Sequence, residues 1–224
     1  MPRYLIPAAL AVVMAVSLVY SNAIRQGHAD VPIAASADDV QPLTAGDPAP
    51  RFIVRTVEGK PFDFRPKELD APVVLLSFRG GWCPYCNMHL SEVRHVIPEI
   101  RELGVEVLFL SGDGPAQLYE GLESATKDDI AALDYTILSD GDAQAAIALG
   151  IAFKASERTI RRRHEKGQDI TGSSMAKKGA LPVPAVFAVD TDGMIAFSYV
   201  SPDVKTRLPG DELLAVTRRI AAAD

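Results

Sequence analysis

The feature that most constrains this chain is a pair of cysteines, Cys83 and Cys86, in the segment WCPYC at residues 82–86. The apolar run at residues 73–78 has the length of a strand that is buried on both faces, and a pair of glycines follows it. After Pro84, apolar residues recur at helical spacing, and proline is tolerated in the first turn of a helix. The pattern therefore predicts a strand, a tight turn and a helix, with Cys83 at the start of the helix.

The two cysteines are the only ones in the chain, and their spacing favours reactivity over a structural role. The stabilisation by a disulfide grows with the length of the loop that it closes, and this loop is very short. Free backbone N–H groups and the helix dipole favour a thiolate at Cys83, and Arg79 adds positive charge if its side chain turns towards the site. Cys86 lies one turn further along and is expected to be less open to solvent. We predict Cys83 as the nucleophile and Cys86 as the resolving thiol.

The first residues are typical of an export signal. Arg3 precedes an apolar run that reaches Tyr20, and small residues follow at 21–23 and 27–29. Residues 1–29 are therefore predicted to be a signal peptide, with an uncleaved membrane anchor as the alternative. Either interpretation predicts an exported protein that is periplasmic, or anchored in the membrane and facing the periplasm. Residues 30–45 are rich in Ala, Asp, Pro and Ser and predict a flexible linker, and one redox domain is expected over residues 46–224.

Composition limits the kinds of partner. The net charge is −6, which argues against a nucleic-acid-binding surface over the whole chain because neutralising phosphates needs clustered cations. The exception is the basic segment, residues 154–178, which has eight Lys or Arg against three Asp or Glu. We interpret it as an insertion that forms a solvated helical excursion, and the alternative is a docking patch for an anionic surface or partner.

The remaining pattern predicts an α/β fold. A parallel crossover should join the strand at 73–78 to one at 105–110, with the intervening helix interrupted at Pro98 and ended by Gly104. Further strands are predicted at 51–57, 61–64, 135–138, 185–189 and 195–200, and further helices at 115–125, at 143–149 and from 211.

Other chemistry fits the residues less well. Haem attachment needs a histidine directly after the second cysteine, where this chain has Asn87. A metal site could recruit His89, which keeps a metal-binding redox chaperone open as an alternative, but His89 is expected to be a partly exposed helix residue. No metal and no cofactor are predicted for the enzyme. Trp82 is expected to cover the active site, with a place in the core as the alternative.

Three segments resemble the alkyl hydroperoxide reductase and thiol-specific antioxidant (peroxiredoxin-like) family of the thioredoxin superfamily: residues 46–52, 78–86 and 104–108. The resemblance runs through about residues 43–222. It implies a three-layer α/β/α sandwich with a central mixed β-sheet. It also implies hydroperoxide reduction through a Cys83/Cys86 dithiol–disulfide cycle, with an external dithiol reductant such as a thioredoxin-like protein. Pro184 resembles the cis-proline that faces the cysteine pair in thioredoxin folds, which would place the backbone of Val183 against a substrate.

The chain departs from the family's pattern around the first cysteine. Leu76 and Gly80 stand where peroxiredoxins have a proline and a threonine, and their later arginine has no match near residues 183–186. The stretch from Cys83 through Pro84 and Tyr85 to Cys86 is instead similar to that of glutaredoxins. An exported protein thiol–disulfide oxidoreductase is therefore the alternative function. Arg79, Trp82, Pro84, Tyr85, Val183 and Pro184 are predicted to bind substrate or shape the site.

Overall fold

The computed structural model describes residues 33–119 and 136–223. Its strands are β1 (Phe52–Arg55), β2 (Pro61–Phe64), β3 (Val73–Phe78), β4 (Glu106–Ser111), β5 (Thr136–Ser139), β6 (Ala152–Lys154), β7 (Ala180–Pro182), β8 (Ala185–Val189) and β9 (Ile195–Val200). Its helices are α1 (Pro84–Val93), α2 (Ile97–Glu102), α3 (Gln144–Ala148), α4 (Glu157–Glu165), α5 (Ser174–Lys178) and α6 (Gly210–Ala221). Single 3-10 turns occur at Ala37–Asp39, Pro66–Glu68 and Pro115–Gln117.

The central sheet is mixed and has the strand order β2-β1-β5-β4-β3-β8-β9. Strands β3, β4 and β5 are parallel, which confirms the predicted crossover, whereas β8 runs antiparallel to β3. Strands β1 and β2 form an antiparallel pair, as do β8 and β9. Strands β6 and β7 form a separate antiparallel pair.

The sheet separates two apolar clusters. Successive residues of a strand point to opposite faces, and β3 shows this directly. Val73 and Leu75 pack on one side with residues of α3 and α5, while Val74 and Leu76 pack on the other with α1, α2 and α6. Two apolar faces, each covered by helices, make the three-layer α/β/α sandwich with a mixed sheet that the resemblance implies.

The helix that follows the cysteines is divided as the prolines predict. Helix α1 ends at Val93 and α2 begins at Ile97, with Pro98 in its first turn. Gly104, at φ +78°, adopts a left-handed conformation that suits glycine and ends this helical stretch. The helix predicted at 115–125 is a 3-10 turn at Pro115–Gln117, and its remainder falls largely outside the described residues.

The linker prediction is wrong for residues 33–45. The N–H of Ala34 donates to the carbonyl of Ala152 (2.9 Å), and that of Leu43 donates to the carbonyl of Leu149 (3.1 Å). Ile33, Ala37 and Val40 are partly buried and pack on the core, so this segment lies against the domain and does not form a flexible linker. The predicted signal peptide or anchor at 1–29 lies outside the described residues. Within residues 33–119 and 136–223, no helix has the length and apolarity needed to cross a membrane.

The basic segment begins at the last residue of β6, forms α4 and α5, and ends just before β7. Ser156 caps α4 by accepting a hydrogen bond from the N–H of Thr159 (3.2 Å). Arg161 and Arg162 are exposed, as expected of a solvated helix, but Arg163 on the same helix is buried with 7% exposure. The prediction of a solvated excursion is therefore wrong at Arg163.

Candidate active site

The cysteine pair lies where the central strand passes into a helix. Strand β3 ends at Phe78, and Cys83 is the N-cap residue of α1 with extended backbone angles (φ −92°, ψ 112°). Pro84 is the first helical residue, where its missing N–H costs nothing. The carbonyl of Cys83 accepts the N–H groups of Cys86 (3.0 Å) and Asn87 (3.1 Å), which starts the helix. This arrangement confirms the strand, turn and helix predicted around the two cysteines.

The turn before Cys83 is held at both the N–H and the carbonyl of Gly81. The N–H of Gly81 donates to Oδ2 of the buried Asp113 (2.8 Å), and its carbonyl accepts from the side-chain amide of Asn87 (2.8 Å). Gly80 has φ +147°, and a Cβ there would overlap the carboxylate of Asp113. The turn therefore needs glycine at position 80 for both its backbone angle and its space.

The two thiols are free, close together and covered. Cys83 is 2% exposed and Cys86 is 1% exposed, so both cysteines are nearly closed to solvent. A hydrogen bond from Cys86 lowers the pKa of Cys83 to about 6, assisted by Arg79 and Arg207 and opposed by burial. Burial raises the pKa of Cys86, and the neighbouring Cys83 raises it further. The site therefore keeps one thiolate and one protonated thiol at neutral pH.

Arg207 is the cation in contact with the deeper cysteine. It lies in the segment between β9 and α6, and its Nη2 is 3.6 Å from Sγ of Cys86. Its Nη1 donates to the carbonyls of Val204 (2.5 Å) and Thr206 (2.9 Å), which fixes the guanidinium. Arg207 therefore favours the thiolate form of Cys86 against the effect of burial.

Two further arginines lie over aromatic rings, one of which is the ring of the half-buried Trp82. The guanidinium of Arg163 lies over the Trp82 ring, with Cζ 4.5 Å from the ring centroid. Arg79 lies over Phe153 on β6, with Cζ 5.2 Å from its ring centroid. Trp82 packs against both apolar clusters, so its side chain is part of the core. It also directly precedes Cys83 in the chain.

The other predicted site residues are Tyr85 on α1 and the pair Val183 and Pro184 before β8. Tyr85 is 37% exposed at the start of α1, whereas Val183 and Pro184 are buried directly before β8. The first residue of β8, Ala185, pairs with Ser77 near the end of β3, which brings this segment to the same end of the sheet. The N–H of Val183 donates to the carbonyl of Ile151 (3.0 Å).

The predicted cis bond before Pro184 is wrong, because the described residues contain no cis peptide bond. Proline itself favours the trans form by only about 0.5–1 kcal/mol, so the surrounding structure decides the isomer and the residue type does not. Here the carbonyl of Pro184 accepts the N–H of Ser201 (3.0 Å) with the bond in the trans form.

The expectation that His89 is partly exposed is also wrong. His89 has 8% exposure, and its Nε2 lies 2.9 Å from the carbonyl of Leu208. Burial lowers the pKa of His89, which favours the neutral ring that donates to this carbonyl. The contact ties α1 to the segment that carries Arg207.

Four residues of the site were not predicted from the sequence: Asn87 as a clamp on the turn, Asp113, Arg163 and Arg207. Asn87 lies one residue past the cysteine pair, so the helical spacing could have indicated its contact with the turn. Asp113 follows the predicted strand at 105–110, and the end of a parallel strand is a usual place for site residues. Arg163 and Arg207 carry no such signal, because exposed and buried arginines look alike in a sequence.

The chain is similar to known proteins over most of its length. The model of the AhpC/TSA family matches residues 45–198. Thiol-disulfide oxidoreductase ResA from Bacillus thuringiensis (strain Al Hakam) is 26% identical over 172 residues, which cover 77% of this chain and 79% of that protein. Peroxiredoxin Bcp from Escherichia coli (strain K12) is 29% identical over 115 residues, or 50% of this chain and 67% of that protein. The crystal structure of peroxidoxin BcpB from Mycobacterium tuberculosis superposes with a TM-score of 0.54 at 20% identity, covering 80% of this chain and 98% of that one, and supports the fold.

Proposed function

The chain belongs to the AhpC/TSA family, and from this premise we propose that it is an antioxidant oxidoreductase that reduces hydroperoxides through a Cys83/Cys86 dithiol–disulfide cycle. The observation that supports this most is the contrast between the two thiols. Cys86 donates a hydrogen bond to Cys83 and lowers the pKa of Cys83 to about 6. At neutral pH about 90% of such a thiol is ionised and able to attack.

The proposed cycle has three steps. The Cys83 thiolate attacks one oxygen of the hydroperoxide, the O–O bond breaks, and the second oxygen leaves with the electron pair and takes up a proton. Cys83 is then a sulfenic acid, and Sγ of Cys86 displaces its hydroxyl as water to form the disulfide. An external dithiol such as a thioredoxin-like protein reduces this disulfide and completes the cycle.

Positive groups take the place of the threonine and arginine that peroxiredoxins use. Negative charge develops on the leaving oxygen, and fixed donors close to that oxygen lower the barrier. The N–H of Cys86 and the guanidiniums of Arg79 and Arg207 lower the pKa of Cys83, and we assign them this role. Because this chain lacks that threonine and arginine, we predict that it reduces peroxide more slowly than a peroxiredoxin that has both.

The burial of both cysteines favours a small oxidant over a folded protein. Cys83 is 2% exposed, and a hydroperoxide needs far less access than a protein disulfide does. Thiol–disulfide exchange is nevertheless the second candidate, because the relatives named thiol-disulfide oxidoreductase ResA match 77% of this chain. A protein substrate requires that the turn before Cys83 opens.

Intact-mass analysis tests the proposed cycle. The reduced protein is treated with one equivalent of hydrogen peroxide, and we expect loss of two hydrogens from the wild type as the disulfide forms. Cys86→Ser should instead trap one added oxygen at Cys83, detectable with a sulfenic-acid reagent, and Cys83→Ser should give neither product. If oxygen were trapped at Cys86 in the Cys83→Ser variant, the two roles would be reversed.

We further propose that the enzyme acts outside the cytoplasm. The proposal is supported by Arg3, the apolar run after it and the small residues at 21–23, which together are typical of an export signal. Expression in a bacterial host should yield protein that has lost its first 23 to 29 residues or that stays in the membrane fraction. A soluble cytoplasmic product of full length would contradict the proposal.

A further inference from the structure

Arg163 differs from its neighbours on α4 because it turns inward. Arg161 and Arg162 are exposed, whereas Arg163 is 7% exposed and lies over the ring of Trp82. Its Nη1 donates to Oε1 of Gln168 (3.1 Å). Its Nε is buried and has no hydrogen-bond partner among the described residues. A buried guanidinium that keeps one donor unused is costly unless something binds it.

Two more buried donors beside Cys83 share this property. Nε1 of Trp82 and Nε of Arg79 are also buried without a hydrogen-bond partner among the described residues. Trp82 directly precedes Cys83, and Arg79 and Arg163 both interact electrostatically with its thiolate. Arg79 and Trp82 are partly exposed as residues but their donor nitrogens are buried, so a ligand reaches these donors when the two side chains shift outward. Three unused donors therefore lie around the reactive cysteine.

The chemistry of these donors identifies the ligand. Guanidinium and indole N–H groups donate hydrogen bonds and accept none, so the complementary group is an anion with several acceptor lone pairs. Arg79, Arg163 and Arg207 all act on the one thiolate of Cys83, so the cations outnumber it and favour an anionic ligand such as a carboxylate. The carboxylate of Asp113 is nearby, but it accepts the N–H of Gly81 (2.8 Å) and holds the turn.

We propose that Arg79, Trp82 and Arg163 form a binding site for the carboxylate of a small organic substrate next to Cys83. The site selects hydroperoxides or disulfides that carry a carboxylate near the reacting atom over neutral ones. This proposal depends on the proposed function only because it names the ligand as a substrate. Binding of the carboxylate itself requires no catalytic turnover. The basic segment thereby contributes to the active site through Arg163.

Fluorescence of the reduced protein tests the binding directly, because Trp82 is the only tryptophan in the chain. Propionate is titrated at constant ionic strength, with propionamide as the neutral analogue. We expect a saturable change with propionate alone. Arg163→Gln should weaken binding by about tenfold or more, whereas Arg162→Gln, which removes the same charge from an exposed site on α4, should not. Arg163→Lys should recover part of the affinity, and circular dichroism verifies that each variant is folded.

A kinetic experiment locates the bound carboxylate at Cys83. The rate of thiol reaction is compared for 3,3′-dithiodipropionate and for bis(2-hydroxyethyl) disulfide, which is neutral. We expect the ratio of the two rates to fall by about tenfold in Arg163→Gln and to stay unchanged in Arg162→Gln.

Three results would overturn the proposal. They are a fluorescence signal that does not saturate with propionate, an equal response to propionamide, and an equal loss of propionate affinity in Arg163→Gln and Arg162→Gln. Failure of the peroxidase function would appear differently. Hydrogen peroxide would then not oxidise Cys83, while the propionate titration would still saturate.

Discussion

Nη2 of Arg207 lies 3.6 Å from Sγ of Cys86, and Cys86 in turn donates a hydrogen bond to Cys83. The cation therefore contacts the resolving thiol, and its charge also lowers the pKa of the nucleophile Cys83. Removal of the charge in Arg207→Gln should slow disulfide closure about threefold to tenfold, since a change of one unit in the pKa of Cys86 alters its thiolate fraction tenfold. The rate is read from the phase of Trp82 fluorescence that follows sulfenic acid formation.

Lys205→Gln is the matched control, because Lys205 is an exposed cation in the same segment. Closure in this variant should proceed at the wild-type rate. Equal slowing in both variants would attribute the effect to the net charge of the segment instead of the contact between Arg207 and Cys86.

The ionisation of Cys83 should depend on the hydrogen bond from Cys86. In the wild type, the alkylation rate with iodoacetamide should rise with pH around an inflection at about 6, because this hydrogen bond lowers the pKa of Cys83. Cys86→Ser keeps a donor at this position, whereas Cys86→Ala removes it and should move the inflection to higher pH. An inflection that is identical in the two variants would contradict the role of the hydrogen bond.

The turn before the cysteines should tolerate no side chain at position 80. Gly80→Ala combines an unfavourable φ of +147° with overlap of the Asp113 carboxylate, so we expect about 3 kcal/mol or more of lost stability. Gly59→Ala meets no atom within 4 Å at φ +76° and should lose only about 1–2 kcal/mol. Urea unfolding measures both variants, and equal losses would contradict the overlap.

Asp140 should make stability fall as the pH rises. Its carboxyl accepts the N–H groups of Ala145 (3.0 Å) and Ala146 (2.8 Å) at the start of α3, and burial raises its pKa from 3.8 to about 7. The folded protein then holds this proton more tightly than the unfolded chain does. The resulting stabilisation is complete below about pH 4 and is lost as the pH rises towards 7.

Asp140→Asn removes this titration and tests the effect. The difference in free energy of unfolding between wild type and variant should change by at most about 1.4 kcal/mol per pH unit between pH 4 and 7. A difference that stays constant over this range would show that the carboxyl is already ionised at pH 4.

The parts of the fold that could be predicted from the sequence are those set by local patterns. The apolar run of β3, the glycines after it and Pro84 place Cys83 at a helix start, and Pro98 separates α1 from α2. The spacing of the two cysteines indicates thiol redox chemistry by itself, so the centre of the candidate site could be predicted before the fold was known.

The remaining features depend on contacts between distant parts of the chain. Arg207 is separated from Cys86 by 121 positions, and only the packing of α6 and its preceding segment brings it to the thiol. The isomer at Pro184 and the packing of residues 33–45 against the domain likewise depend on neighbours that no local pattern specifies. Arg163 lies in a run of three arginines, a pattern that predicts a solvated surface. Its stacking on Trp82 is visible only in the structure.

The most direct test of the proposed function is stopped-flow oxidation of the reduced protein, followed by Trp82 fluorescence. Hydrogen peroxide is compared with a mixed disulfide at the same pH, and Cys83→Ser provides the background. We predict that peroxide oxidises Cys83 at least about tenfold faster than it oxidises a free thiol. Ionisation raises the thiolate fraction about thirtyfold at pH 7, but the weaker nucleophilicity of a less basic thiolate removes roughly tenfold of this gain. The positive groups around Cys83 supply the remaining acceleration by stabilising the leaving oxygen. A peroxide rate no faster than that of a free thiol, together with rapid exchange with the mixed disulfide, would contradict the peroxidase and leave the thiol–disulfide oxidoreductase.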